Sequence, residues 1–189
     1  MELAGQGDRQ QVGLSYSATA RIALFFGIAG FGCAIDLLTK QLAFARLGQP
    51  GGAVWWIFEG YVGFETSINR GALFGIGQGM IPLFAIVSFL AIGGIGFWVL
   101  RGGALNELVL TIALGMILAG ILGNLYDRLG LWGQSGVRDW ILFRYQTFTW
   151  PNFNVADSLL VCGAGLLMWH SWRVDRAERD APDLADGRK

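Results

Sequence analysis

Four long apolar stretches punctuate the chain: Ala20 to Leu38, Ile81 to Leu100, Leu105 to Gly123 and Val155 to Trp172. Each is close to the roughly 20 residues a helix needs to cross a bilayer. In hydrocarbon every backbone amide must be paired within its own segment, and these glycine-rich runs lack the alternation of a barrel strand. The pattern therefore predicts an all-α membrane protein, a bundle of four transmembrane helices. Arg101-Gly102-Gly103-Ala104 is a short enough turn to make the second and third helices antiparallel neighbours.

Two longer connections, Thr39 to Met80 and Asn124 to Phe153, then fall on one side of the bilayer. The first contains Val54-Trp55-Trp56-Ile57-Phe58, Glu59-Gly60 and Tyr61-Val62-Gly63-Phe64-Glu65-Thr66, a pattern that predicts a β-hairpin. Its aromatic residues suit the headgroup layer, so a small extracytoplasmic β-sheet cradle resting on the membrane is expected.

Charge placement orients the bundle. With an even number of spans both termini share a side, and Arg9, Arg21, Arg101, Arg173, Arg176, Arg179, Arg188 and Lys189 fall there. Lys40, Arg46, Arg70, Arg128, Arg138 and Arg144 fall opposite. The richer side is expected to be cytoplasmic, which puts the long connections outside. The domain reading is a disordered cytoplasmic leader over 1–19, a four-helix transmembrane domain over 20–172 and a charged cytoplasmic tail over 173–189. Ala43-Phe44-Ala45 imitates a signal-peptide cleavage site, but Asp36 and Lys40 interrupt the apolar core before it.

Composition agrees: 53% of the 189 residues are hydrophobic and the mean hydropathy is +0.47. Fourteen basic residues balance fourteen acidic ones, so nothing points to a nucleic-acid partner. Cys33 and Cys162 lie in apolar stretches and read as small buried side chains, and His170 is the single histidine. No Cys/His cluster has metal-ligand spacing, and no metal or cofactor is expected.

Carboxylates at the edge of membrane spans are costly and so raise the question of function. Acids at 36, 127, 139 and 157 all fall on the outer face by topology. Simple structural roles compete for some of them. Asp36 and Lys40, four apart, read as a snorkelling ion pair that ends the first span, and Asp127-Arg128 as a neighbouring ion pair. Asn154 is a good N-cap with Asp157 three residues later, so a capping box accounts for both. Capping does not explain the coincidence of four acids at one face.

Asp157 near a helix N-terminus is favoured as the anion, whereas a second carboxylate close by is pushed toward its protonated form. One proton shared by two aspartates is the working state of an aspartic protease dyad. The ionised member takes a proton from water attacking the scissile carbonyl while its protonated partner hydrogen-bonds to the carbonyl oxygen.

Five motifs occur in order: Asp36-x-x-x-Lys40, Asn69-x-Gly71-Ala72-x-Phe74-Gly75, Gly123-Asn124-x-x-Asp127-Arg128, Val137-x-Asp139 and Phe153-Asn154-Val155-Ala156-Asp157-Ser158. Together they make the chain resemble the lipoprotein signal peptidases, or signal peptidases II, from about Ala20 to Trp172. The resemblance implies an aspartic endopeptidase of the bacterial inner membrane. It would remove the signal peptide from diacylglyceryl-modified prolipoproteins on the N-terminal side of the lipidated cysteine. Asp139 and Asp157 would be the catalytic dyad; Asn124, Arg128, Asn154, Asn69 and Gly71 would bind substrate. Asp36, Lys40, Asp127, Gly123 and Ala156 would support the site. The resemblance also implies sensitivity to globomycin-type cyclic peptides; prolipoprotein and membrane lipid are the expected partners of a monomer. Trp140, Leu73 and Leu142 depart from the usual motif residues, which bears on lipid or signal-peptide preference.

Two other classes remain in view. A proton-coupled carrier would place its carboxylates near the bilayer midplane and repeat one half in the other, and no repeat is visible. A scaffold that binds lipoprotein precursors without cutting them is the third reading. Other intramembrane aspartic proteases carry Tyr-Asp and Gly-x-Gly-Asp signatures; Tyr126-Asp127 supplies only the first.

Overall fold

The computed structural model describes residues 17–71, 77–101 and 103–180. The expected leader therefore lies outside the described residues up to position 16, as do the end of the tail and motif residues Ala72, Leu73, Phe74 and Gly75. Among the described residues there are four long helices: α1 (Ala18–Leu47), α2 (Ile81–Arg101), α3 (Leu108–Arg128) and α4 (Val155–Asp180). The first three are long and apolar enough to cross a membrane. By the same measure α4 falls short, because Asp157, Ser158, His170 and Ser171 dilute its apolar run.

Helix α3 is the hub, packed against α1, α2 and α4. Small residues allow the approach to α4. A Cβ on Gly120 would meet the Ala156 carbonyl oxygen and come within 2.6 Å of Leu160 Cγ; one on Gly163 would lie 2.7 Å from Ile117 Cγ1. Without a hydrophobic drive between helices in lipid, such close backbone packing is what holds a bundle together. Outward faces are apolar in turn: Phe26, Phe31, Leu90 and Leu100 are all exposed. Cys162 also lies exposed on α4, so it is not the buried side chain the sequence suggested, while Cys33 is half-buried.

One antiparallel sheet, in the order β1 (Trp55–Phe58), β2 (Val62–Asn69), β3 (Val137–Tyr145) and β4 (Phe148–Phe153), packs at one end of α1 and α3. The expected hairpin forms β1 and β2, turning through Gly60 at φ 75°. A second hairpin, β3 with β4, was not expected. It turns through Gln146 at φ 55°, a left-handed conformation in a residue that gives no turn signal, and Pro151 is tolerated because β4 is an edge strand. Pairing Ser67 with Asp139 and Asn69 with Val137 brings the two connections into one sheet.

The helices also outrun their apolar stretches. Helix α1 continues to Leu47, so Asp36 and Lys40 sit inside it, wholly buried; they are not a snorkelling pair at its end. Helix α3 continues to Arg128, which places Asn124, Asp127 and Arg128 on helical turns. Helix α4 continues past Trp172 to Asp180.

Candidate active site

Sequence places Asn154 just before α4, and the structure makes it the N-cap: its Oδ1 accepts from the Asp157 N–H at 2.9 Å. In return the Asn154 N–H donates to Asp157 Oδ2 at 3.3 Å, which completes a capping box. The next free amide of the helix terminus, Ala156 N–H, donates to Asp36 Oδ1 of α1 at 2.8 Å. Two of the helix's orphan donors are thus met by residues expected only to cap or to support.

Both asparagine amides are forced into one orientation. Lys40 has only donors, and its Nζ donates to Asn124 Oδ1 at 2.9 Å, so Asn124 Nδ2 must face away and donates to Asp157 Oδ1 at 2.8 Å. Asn154 Oδ1 is held by a backbone N–H, so Asn154 Nδ2 is left to donate to Asp139 Oδ1 at 2.6 Å. The same amide approaches Asn124 Oδ1 at 3.2 Å. Asp139 and Asp157 are therefore joined by a two-asparagine bridge in which each carboxylate receives a fixed donor.

Below the bridge lies a buried ionic row. Lys40 Nζ is 2.7 Å from Asp36 Oδ2, an ion pair without hydrogen-bond alignment, and 3.2 Å from Asp127 Oδ2. Asp127 binds Arg138 from three directions: Oδ1 accepts from Nη2 at 2.8 Å and Nε at 3.1 Å, and Oδ2 from the Arg138 backbone N–H at 2.9 Å. Gly123 is needed here because any Cβ would meet Asp36 Oδ2 and lie 3.3 Å from Ala156 Cβ, itself fully buried. The row fixes β3, and so Asp139, against the bundle.

Arg138 is the residue that sequence reasoning missed. It was hidden in the open position of Val137-x-Asp139, and the partner of Asp127 was taken to be its neighbour Arg128. A bulky cation two positions from one end of an otherwise β-forming segment was the available signal. Its guanidinium also stacks 4.8 Å from the Trp132 ring centre and is 2% exposed.

Arg128 points elsewhere, 5.7 Å from the Phe84 ring centre, and among the described residues it makes no ion pair. It lines a cavity of 290 Å³ with Asn69, Asn124 and Asp157, walled by Leu160 and Val161 of α4. A second cavity of 460 Å³, on the Asp139 side, is lined by Glu65, Ser67, Asn69 and Asn152. Asn69 belongs to both; its Oδ1 accepts from the Gly71 N–H at 2.9 Å, which shapes the corner after β2. An apolar groove along α4 thus leads to one aspartate and a polar chamber to the other. A cavity of 700 Å³ between α1 and α2 around Phe25 is mainly apolar and touches neither.

Burial pushes the Asp139 carboxyl well above the usual carboxylate range, and the neighbouring Asp157 charge adds to the effect. Lys40 and the amides of Asn154 and Asn69 act in the opposite direction without cancelling it.

This architecture is that of a class of bacterial membrane enzymes. A solved structure of one, determined in meso at 2.3 Å, superposes with a TM-score of 0.74 at 23% identity, covering 89% of this chain and 96% of the other. A second, at 1.9 Å, gives a TM-score of 0.67 at 26% identity over 82% and 94%. The particular family follows from the sequence comparisons. The family model described as signal peptidase (SPase) II matches residues 28–173, and the chain belongs to that family. A lipoprotein signal peptidase of Rhodopirellula baltica is 49% identical over 162 residues, which is 80% of this chain and 73% of that protein. Another from Rhodococcus jostii is 40% identical over 152 residues, covering 78% and 72%. The protein is accordingly a hydrolase, a transmembrane protease of lipoprotein processing.

Proposed function

We propose that the chain is an aspartic endopeptidase that cleaves diacylglyceryl-modified prolipoproteins on the N-terminal side of the lipidated cysteine, with Asp139 and Asp157 as its dyad. The observation that carries this reading is the pair of asparagine bonds, Asn124 to Asp157 at 2.8 Å and Asn154 to Asp139 at 2.6 Å. They hold two carboxylates at the meeting point of an apolar groove and a polar chamber.

The dyad carries one proton. Asp157, at the third position of α4 and receiving Asn124 Nδ2 and the Asn154 N–H, is the better anion and serves as general base. Asp139, with its raised affinity for a proton, serves as general acid. Water between them loses a proton to Asp157 as its oxygen attacks the scissile carbonyl, and Asp139 donates to the developing oxyanion. Collapse of the tetrahedral species returns a proton to the leaving amine. Arg128, which lines the groove and makes no ion pair among the described residues, anchors substrate there beside Asn69, with Gly71 shaping the corner that follows.

In the membrane, four spans including α4 set the Asp-bearing ends and the sheet at the outer face. Both termini, with the leader over 1–19 and the charged tail over 173–189, lie in the cytoplasm by the balance of basic residues. The enzyme acts as a monomer and is blocked by globomycin-type cyclic peptides.

The test is a gel-shift assay with purified enzyme and a diacylglyceryl-modified prolipoprotein. Asp139→Asn and Asp157→Asn are each expected to lose at least about a hundredfold in turnover, the scale of a lost acid or base. Turnover near the parent's in either variant removes that residue from the dyad. An unshifted precursor with folded parent enzyme leaves a binding scaffold.

A further inference from the structure

A cavity of 540 Å³ lies between the sheet-bearing end of α1 and the sheet, and none of its lining residues borders the two cavities that hold Asp139 and Asp157. Leu42, Ala43 and Leu47 form one wall; Trp55, Phe64 and Trp140 form the other. Its size falls within the roughly 300–1,000 Å³ of ligand sites. The rings of the second wall pack on one another, Trp55 tilted against Phe64 at 5.3 Å between centres and Phe64 edge-to-face with Trp140 at 4.9 Å. Trp140 Nε1, buried within this aromatic wall, has no acceptor among the described residues.

At the rim stands Arg46, in the last turn of α1. It is exposed, and it makes no ion pair or side-chain hydrogen bond with any described residue. An unpartnered guanidinium at the mouth of a hydrocarbon-lined slot, at the level where tryptophans meet the headgroups, asks for a ligand with an anionic head and an apolar tail. A guanidinium matches phosphate in two-pronged geometry, which an uncharged glyceryl group does not offer.

We infer that this cavity is a binding site for one anionic glycerophospholipid, its phosphate on Arg46 and an acyl chain between Leu42 and Trp140. The site is separate from the groove for the cleaved chain. It follows from the cavity and the charge alone, whether or not the dyad reading holds. Because Trp140 adjoins Asp139 on β3, a lipid seated there braces the strand that carries the aspartate.

Native mass spectrometry of the full chain, delipidated in detergent and titrated with phosphatidylglycerol or with uncharged diacylglycerol, tests the inference. The parent is expected to retain one phosphatidylglycerol at least tenfold more tightly than diacylglycerol. Arg46→Gln should lose that preference. Ala43→Phe, which fills the slot and keeps the charge, should lose retention of both lipids. Circular dichroism confirms that each variant is folded; if Ala43→Phe is not, Leu42→Ala, which enlarges the slot, serves in its place and should weaken retention severalfold. Equal retention by parent and Arg46→Gln, equal binding of the two lipids, or no retained lipid at all would each overturn the site. Equal binding would assign the slot to hydrocarbon of any source, the substrate's own diacylglyceryl group included.

Discussion

Asp36 accepts a hydrogen bond at 2.8 Å from the backbone N–H of Ala156, a residue 120 positions further along the chain. A carboxylate of α1 thereby caps the helix that presents Asp157, and Lys40 neutralises it from the other side at 2.7 Å. Removing the acid leaves a buried ammonium with one fewer counter-charge and a helix terminus with an unmet donor. Asp36→Ala should destabilise the protein by about 3–5 kcal/mol, the scale for breaking one side of a buried pair. Asp36→Asn, which keeps an acceptor for Ala156, should cost clearly less. Thermal unfolding in detergent measures both, and equal losses would show that the cap contributes nothing beyond the charge.

Asn154 serves α4 through its Oδ1 and Asp139 through its Nδ2. Asn154→Ala removes both roles and should lower stability by about 1 kcal/mol, as for other lost N-caps. Its effect on cleavage should fall on kcat more than on KM, because in the proposed dyad the bridge orders the reacting groups. Asn154→Ser restores the cap without reaching Asp139. A serine variant that regains stability but not turnover separates the two roles; recovery of both would reduce Asn154 to a cap.

Titration of Asp139 links stability to pH. In the unfolded chain its carboxyl titrates near the ordinary value of about 3.9, whereas burial beside Asp157 makes the folded protein hold that proton to higher pH. Between those two values the native state binds more protons, so the contribution of Asp139 to stability is full only below the ordinary value and is lost as pH rises through the folded one. Asp139→Asn removes this term. Melting temperatures of parent and variant measured from pH ~4 to ~8 should diverge, with the variant gaining relative to the parent as pH rises. Parallel curves would mean that the Asp139 carboxyl holds its proton no more tightly in the folded protein than in the unfolded chain.

Close packing of α3 on α4 sets the position of Asp157, and Gly120 faces the Ala156 carbonyl and Leu160 Cγ with no room for a methyl group. Gly120→Val should force α4 outward at its N-terminal turn, at a cost of about 1–3 kcal/mol typical of overpacking. Gly165, whose Cβ would meet nothing within 4 Å, is the control, and Gly165→Ala should leave the melting temperature unchanged or raised. A Gly120→Val variant as stable as the Gly165 control would show that the helices are free to separate.

Arg128 should act on substrate binding. Arg128→Ala is expected to raise KM severalfold with a smaller change in kcat, since its guanidinium contacts the Phe84 ring and neither aspartate. A loss confined to kcat would place Arg128 in the chemical step.

Much of this molecule is written along the chain, because a bilayer admits few ways to satisfy a backbone. The apolar runs predict the helices, the Trp-rich segment around Glu59-Gly60 predicts β1 and β2, and Asn154 with Asp157 predicts the cap of α4. Helix ends were less legible: an apolar run stops where side chains leave hydrocarbon, while the helix continues as long as its amides find partners, as from Leu38 to Leu47. The hairpin of β3 and β4 escaped notice because its turn at Gln146 carries no glycine or asparagine.

What the tertiary structure alone decided is which charges meet. Sequence spacing pairs Asp127 with Arg128 and Asp36 with Lys40; folding keeps the second pair, gives Asp127 to Arg138 and Lys40, and sends Arg128 to the groove. Neighbours along the chain are fixed by covalent geometry and helical period. Partners 84 and 120 residues apart, such as Lys40 with Asn124 and Asp36 with Ala156, exist only once α1, α3 and α4 have packed. In that buried interior a charge left without a partner is costly, so the packing selects each partner.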